Sequence, residues 1–131
     1  MRSSLALVLL LTLALPAGAA DTHPFSIHDM LAMERISDPR VSPDGTQVAF
    51  VVRATDLEAN RGRLDLFLAA TDGSRVRRLT SHEAADSQPR WSADGRSLYF
   101  VSSRSGQAQV WRLSLEGGEA MILAMDQLIR T

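Results

Sequence analysis

Pro39-Arg-Val-Ser-Pro-Asp-Gly-Thr-Gln-Val-Ala-Phe-Val51 occurs a second time, fifty positions on, as Pro89-Arg-Trp-Ser-Ala-Asp-Gly-Arg-Ser-Leu-Tyr-Phe-Val101. Seven of the thirteen positions are identical, which makes the stretch an internal repeat. Each copy predicts a strand, a tight turn and a second strand. In Ser42-Pro43-Asp44-Gly45, proline presets φ at the turn's second position, aspartate bonds nearby backbone N–H groups, and glycine accepts positive φ without steric cost. Ser92-Ala93-Asp94-Gly95 keeps all but the proline. The residues after each turn are β-branched and aromatic, as a buried strand requires.

The copies continue past the hairpin. Leu66-Phe-Leu-Ala-Ala-Thr-Asp-Gly-Ser74 corresponds to Val110-Trp-Arg-Leu-Ser-Leu-Glu-Gly-Gly118, a third strand closed by another Gly-containing turn. Val76-Arg-Arg-Leu-Thr80 reads as a fourth strand. Four short strands in about forty residues is the period of a β-propeller blade. The expected fold is therefore all-β: two four-stranded blades of an incomplete propeller, preceded by a signal peptide and a short helix.

The chain divides accordingly. Residues 1–19 read as a signal peptide: Arg2, an apolar run from Leu5 to Leu15, then Pro16-Ala17-Gly18-Ala19-Ala20, with cleavage after Ala19 or, alternatively, Ala20. The run is about half the roughly twenty residues that a membrane span needs. Residues 20–37 form a lead-in segment with a short helix, in which Ser26 caps the N-terminus, Asp29 completes a capping box and Phe25 can staple onto Met30. The helix must end before Asp38-Pro39. Blade 1 takes residues 38–80, a polar bridge 81–87, blade 2 residues 88–126 and a tail 127–131. Within blade 1, Arg53 to Arg63 is expected as a polar loop, longer than its counterpart Ser102 to Ala108. From Ala120 on, the repeat degrades into an apolar mixture that reads more like helix. Two blades share one interface, so the outward faces, with Phe50, Phe67, Phe100 and Trp111 to cover, are expected to lack partners on at least one side.

Composition narrows the function. There is no cysteine, hence no disulfide or thiol chemistry, and all fourteen basic residues are arginine. The net charge is −1 with charges interspersed, which points to neither nucleic acid nor an anionic membrane.

Candidate chemistry is sparse. A serine hydrolase of the α/β type needs Gly-x-Ser-x-Gly, and none occurs. Ser74 and Ser97, each close behind a turn glycine, are explained by turn geometry. His23, His28 and Asp29 could be weighed as a metal site, but His23, His28 and His82 lack zinc-type spacing. Asp44, Asp72 and Asp94 precede glycines without the alternating oxygens of a calcium loop. Arg75, Arg77 and Arg78 suit either an anion-binding patch or edge protection of an outer strand. Trp91 and Trp111 stand at the repeat positions of Val41 and Phe67, which favours inter-blade core over ligand stacking. No catalytic, cofactor-binding or metal residue is assigned, and no cofactor is expected.

Ser-Pro-Asp-Gly with an apolar strand, then Leu-Phe-Leu or Val-Trp-Arg, an acidic-Gly turn and Arg-Arg-Leu-Thr, resembles the propeller repeat shared by TolB-like periplasmic proteins and serine peptidases of the prolyl oligopeptidase family. Phe25-Ser-Ile-His-Asp-Met-Leu-Ala-Met-Glu-Arg-Ile-Ser-Asp-Pro-Arg-Val-Ser-Pro-Asp-Gly45 resembles the start of the acylaminoacyl-peptidase and dipeptidyl-peptidase branch. The resemblance implies an amino-terminal propeller and a carboxy-terminal α/β-hydrolase domain bearing a Ser-Asp-His triad, of which this chain would be an amino-terminal fragment, inactive alone. Peptide substrates acting through the full-length parent are implied with it, possible envelope protein partners by the TolB-like alternative, and export to the periplasm or beyond by the leader at residues 1–19. The alternatives are a TolB-like binding module and a non-functional truncated product.

Overall fold

Residues 23–117 and 120–122 are described by the structure, a computed structural model. The expected signal peptide, the tail and Leu123 onward lie outside the described residues.

Ser26 starts the helix as its sequence dictates. Its Oγ accepts from the Asp29 backbone N–H at 3.3 Å, and the Asp29 carboxylate accepts from the Ser26 N–H at 2.6 Å, so two orphan donors are satisfied reciprocally. The helix, α1 (Ile27–Ala32), stops with Met33 in an extended conformation, clear of Asp38-Pro39. None of its residues is buried, and the apolar face carrying Ile27 and Met30 is exposed.

Two antiparallel meanders follow. The first runs β1 (Arg35–Val41), β2 (Gln47–Asp56), β3 (Arg61–Ala70) and β4 (Val76–Arg78). The second runs β5 (Asp86–Trp91), β6 (Ser97–Ser102), β7 (Gln109–Ser114) and β8 (Met121–Ile122). Each sheet pairs its strands in sequence order, the order expected of a blade.

The repeated turn is built identically twice. Ser42 Oγ–H donates to Asp44 at 2.6 Å and accepts from the Gln47 N–H at 3.0 Å; Ser92 does the same toward Asp94 and the Ser97 N–H, at the same distances. Gly45 and Gly95 sit at φ 75° and 71°, the left-handed conformation that glycine alone enters freely. Both copies also carry a β-bulge before the turn, between Ser37 and Arg40 and between Ser87 and Arg90. There Asp38 and Gln88 adopt positive φ of 46° and 55°, and the bulge accommodates Pro39 and Pro89, which have no N–H for the ladder.

Three local expectations are corrected. Arg53 to Arg63 is not a loop. β2 and β3 stay paired from Arg53 opposite Leu64 to Asp56 opposite Arg61, and only Leu57 to Asn60 turn. The extra residues lengthen a hairpin because ladder hydrogen bonds satisfy backbone groups that a loop would leave to water. At the end of the first blade, β4 spans only Val76–Arg78; the N–H of Leu79 still reaches the Leu66 carbonyl at 2.7 Å. And Met121–Ile122 is strand, paired with Arg112 and Trp111, where helix was expected.

The sheets stack face to face through opposite sides of the same repeat. Ala49, Val51, Leu66 and Leu68 of blade 1 meet Leu98, Phe100 and Leu113 of blade 2, with Leu79, Trp91 and Trp111 packed at the margins. Ala49 and Val51 correspond to Tyr99 and Val101, whereas Phe100 corresponds to Phe50. Since successive side chains alternate between faces, the stacking is head to tail. Phe100 and Trp111 therefore lie in the interface, contrary to the expectation that they need cover, while Phe50 and Phe67 are half-buried on the open face of blade 1.

Candidate functional site

Three polar constellations are organised by these sheets. Beside the interface, β5 supplies Asp86, fully buried, and the turn after β6 supplies Arg104. The guanidinium donates to the Asp86 carboxylate at 2.7 Å and to Ser102 Oγ at 3.0 Å. It also lies 5.3 Å from the Phe100 ring centroid and 5.1 Å from that of Trp111. Cation, carboxylate and two ring faces are thus assembled out of water, where their attraction is strong.

Blade 1 builds an ion pair in another place. Asp65 on β3 accepts from Arg78 on β4 at 2.6 Å, and Arg78 Nε donates to the Thr80 carbonyl at 2.7 Å. Thr80 Oγ1 in turn accepts from the Leu66 N–H at 3.0 Å. Asp65 borders an open depression of about 310 Å3 that also includes Phe67 and Glu34.

The third constellation joins the first strands of the two blades. Asp38, at the bulge of β1, accepts from Arg40 at 2.7 Å and from Arg90 on β5 at 3.2 Å. Arg40 and Arg90 are the same repeat position, so one carboxylate holds both copies. Beside them the Trp91 indole N–H donates to the Arg40 carbonyl at 2.8 Å.

The residues singled out from sequence fall into place around these. Trp91 and Trp111 pack on the inter-blade core. Arg75, Arg77 and Arg78 do not share one patch, because Arg78 turns to Asp65 while Arg77, on the opposite face of β4, borders a separate depression with Arg75. Asp44, Asp72 and Asp94 each accept from the N–H two residues on, at 3.0, 2.8 and 3.0 Å. Hydrogen bonds from Ser42, Ser74 and Ser92 hold these carboxyls below the ordinary aspartate value. Asp29 is held low by Ser26 first and then by His23, whose Nε2 lies 3.0 Å away.

Among the described residues no serine and histidine are hydrogen-bonded as a hydrolytic pair. Ser97 is buried and its Oγ accepts from Arg112 Nε at 3.1 Å; Ser74 donates its N–H to Asp72; His82 Nδ1 accepts from the Ala84 N–H at 3.0 Å. Among the described residues no three His, Asp or Glu side chains gather in a way that could hold a metal ion. No helix among them is long and apolar enough to cross a membrane.

Sequence reasoning missed the Asp65–Arg78 and Asp86–Arg104 pairs, whose partners are 13 and 18 residues apart and are brought together by the sheets. The available signal was a charge set inside an apolar pattern, Asp65 between Leu64 and Leu66.

Comparison with known proteins agrees with the architecture. The peptidase YuxL of Bacillus subtilis, itself uncharacterized, is 37% identical over 93 residues, which are 70% of this chain and 14% of that protein. Dipeptidyl-peptidase 5 of Porphyromonas gingivalis is 32% identical over 80 residues, 61% of this chain and 12% of that one. The uncomplexed acylaminoacyl peptidase of Pyrococcus horikoshii superposes with a TM-score of 0.55 at 28% identity, covering 70% of this chain and 14% of that structure. The chain spans only a small part of these relatives. A family model described as TolB beta propeller domain matches residues 31–129, both blades included, and the chain therefore belongs to the TolB beta propeller domain family.

Proposed function

We propose that the two blades are part of the substrate-screening propeller of an exported serine peptidase, whose hydrolytic centre lies in a separate α/β-hydrolase domain. The observation that carries this reading is the 37% identity to a peptidase over 93 residues. A second observation suits it: the blades offer paired strands, ion pairs and aromatic faces, and Ser74, Ser97 and His82 are engaged in turns and packing. The blades' work in this reading is steric. A ring of such sheets leaves a narrow axial passage bordered by first strands such as β1 and β5, so extended peptides enter and folded proteins do not. Peptides are the substrates, reached through the whole protein, and the leader read at residues 1–19 directs it to the periplasm or the medium.

The second reading is a TolB-like module that binds envelope proteins and catalyses nothing, favoured by the family description itself. One experiment separates the two. An antibody raised against the two blades is used on fractions of the source cell treated with a fluorophosphonate that labels active serine hydrolases. The peptidase reading expects an exported band much larger than 14.3 kDa that carries the label. A large unlabelled band that co-precipitates envelope proteins supports the binding module instead. An unlabelled band at 14.3 kDa leaves a truncated product.

A further inference from the structure

β4 and the turn before it leave two arginines on the side of blade 1 that faces blade 2. Arg77 stands opposite Leu68, and the Ala70 N–H donates to the Arg75 carbonyl at 2.8 Å, so both arginines continue one ladder. Side chains two residues apart on an extended chain leave on the same side. That side is fixed by Ala49 and Leu68, which pack on Leu98 of blade 2. Gln47 joins them there, because it pairs with Ala70 as Ala49 pairs with Leu68. Ala70 places only a methyl between Gln47 and Arg75. The hollow this leaves is a depression of about 180 Å3, lined by apolar Leu68, Ala69 and Ala70 and by polar Gln47, Arg75 and Arg77.

The polar groups around this space are donors without acceptors. Neither Arg75 nor Arg77 has a carboxylate within ion-pair distance among the described residues. Gln47 uses its backbone in the repeated turn, donating to Ser42 Oγ at 3.0 Å and accepting from the Ser42 N–H at 2.8 Å, which leaves its side-chain amide to the depression. The repeat itself does not require the two arginines. Blade 2 carries Glu119 and Met121 at the corresponding places, and Met121 pairs with Arg112 as Arg77 pairs with Leu68. The location also keeps the space accessible. The Thr71 N–H donates to the Thr46 carbonyl at 3.0 Å, so the β1–β2 and β3–β4 turns lie together, and the depression reaches Ser74 beside them at this end of the blade. Blade 2 is already in place on this side, and further blades of a ring stack on the other faces, so ring closure does not cover it.

We infer that this depression binds a carboxylate of a peptide, with the guanidinium groups of Arg75 and Arg77 and the Gln47 amide as donors and the Leu68 to Ala70 wall against the adjoining methylenes. Arginine suits this task because its planar fork presents paired N–H groups that match the two oxygens of a carboxylate. The charge balance favours a monoanion over a phosphate. Asp72, in the adjoining turn, is held ionised by hydrogen bonds from Ser74, so two positive charges face one negative and a single positive charge is left. A glutamate side chain and a peptide C-terminus both offer the required group. The site lies within blade 1 and does not depend on the peptidase reading.

The test is an NMR titration of the isotope-labelled full chain, read at the backbone N–H signals of Ala69, Ala70 and Ser74. N-acetyl-glutamate amide carries only a side-chain carboxylate, N-acetyl-alanine only a terminal one, and N-acetyl-glutamine amide neither. Saturable shifts are expected with one or both carboxylates and none with the glutamine compound; the tighter carboxylate identifies the source. Arg75→Gln combined with Arg77→Gln should weaken binding about tenfold or more, since hydrogen bonds between charged partners are the strong ones. Arg53→Gln, in the β2–β3 hairpin at the other end of the blade, should leave it unchanged. Arg77→Met alone should weaken binding without lowering the urea midpoint, because methionine stands at this place in blade 2. Loss of the site is thereby separated from loss of the fold. Equal shifts with the glutamine compound, undiminished binding by the doubly substituted chain, tighter binding of inorganic phosphate than of either carboxylate, or no saturation at tens of millimolar ligand would each overturn the assignment.

Discussion

The carboxylate of Asp86 is completely buried and meets the guanidinium of Arg104 at 2.7 Å. Removing one partner leaves the other charged and out of water, so Arg104→Met should cost about 3–5 kcal/mol, more than its packing alone accounts for. Replacing both, Asp86→Leu with Arg104→Met, should recover much of that loss. Urea denaturation followed by tryptophan fluorescence, run as a double-mutant cycle, measures the coupling. A double variant no more stable than Arg104→Met would show that the pair does not act as a unit.

Gly45 and Gly95 differ from most turn residues in having the space for a side chain but not the backbone freedom. A Cβ built on Gly45 meets nothing within 4 Å, and one on Gly95 meets only Pro43 at ordinary contact distance. The cost of substitution must therefore come from φ. Gly45→Ala should lose about 1–2 kcal/mol and Gly45→Val more, while Gly45→Asn, which tolerates the left-handed region, should lose least. Thermal melts of the three variants check the order. Equal losses would point to a contact and not to backbone strain.

The same turn explains why so much of the fold is legible in the sequence. Ser, Asp and Gly at fixed offsets specify the repeated hydrogen bonds of the turn, and Ser26 with Asp29 specifies the helix start. Where information is less local, the sequence misleads. Arg53, Asp56 and Arg61 look like loop residues by polarity, yet the strands carrying them run on because a hairpin extension exposed to water needs no apolar face. Asp65 with Arg78 and Asp86 with Arg104 meet across strands, and only the register brings them together. The bulges at Asp38 and Gln88 were likewise hidden, since neither residue type announces positive φ as glycine does.

Acid should act on the two repeated turns. Side-chain hydrogen bonds from Ser42 and Ser92, and then the N–H groups of Thr46 and Arg96, hold the carboxyls of Asp44 and Asp94 below the ordinary value of 3.8. A folded value lower than the unfolded one gives stability that is fully present above 3.8 and is lost as the pH falls through the folded values. The urea midpoint should therefore drop as the pH is taken below 3.8, and the Asp44→Asn, Asp94→Asn double variant should drop less over the same window. Parallel curves for the two chains would assign the acid loss to other carboxylates.

Phe50 and Phe100 are the same residue of the repeat in two environments, which allows the open face to be measured directly. Phe100 is 1% exposed between the sheets, whereas Phe50 is half-buried on the outer face of blade 1, its ring centroid 6.0 Å from that of Phe67 at an interplanar angle of 27°. Truncating Phe100 opens a cavity in a closed core, so Phe100→Ala should cost about 3–5 kcal/mol. Phe50→Ala removes surface that water already reaches in part, and should cost about 1–2 kcal/mol at a transfer coefficient of roughly 25 cal/mol per Å2. The face that carries Phe50 and Phe67 should also bind a hydrophobic dye, and Phe50→Ser with Phe67→Ser should abolish most of that signal while leaving the inter-blade core intact. If the two alanine variants instead lose equal stability and the dye does not bind, the outer face is covered in solution. Since a sheet stacked head to tail can add another copy at its open end, a loss of the Phe50 cost on dilution would then identify the cover as a second molecule of this chain.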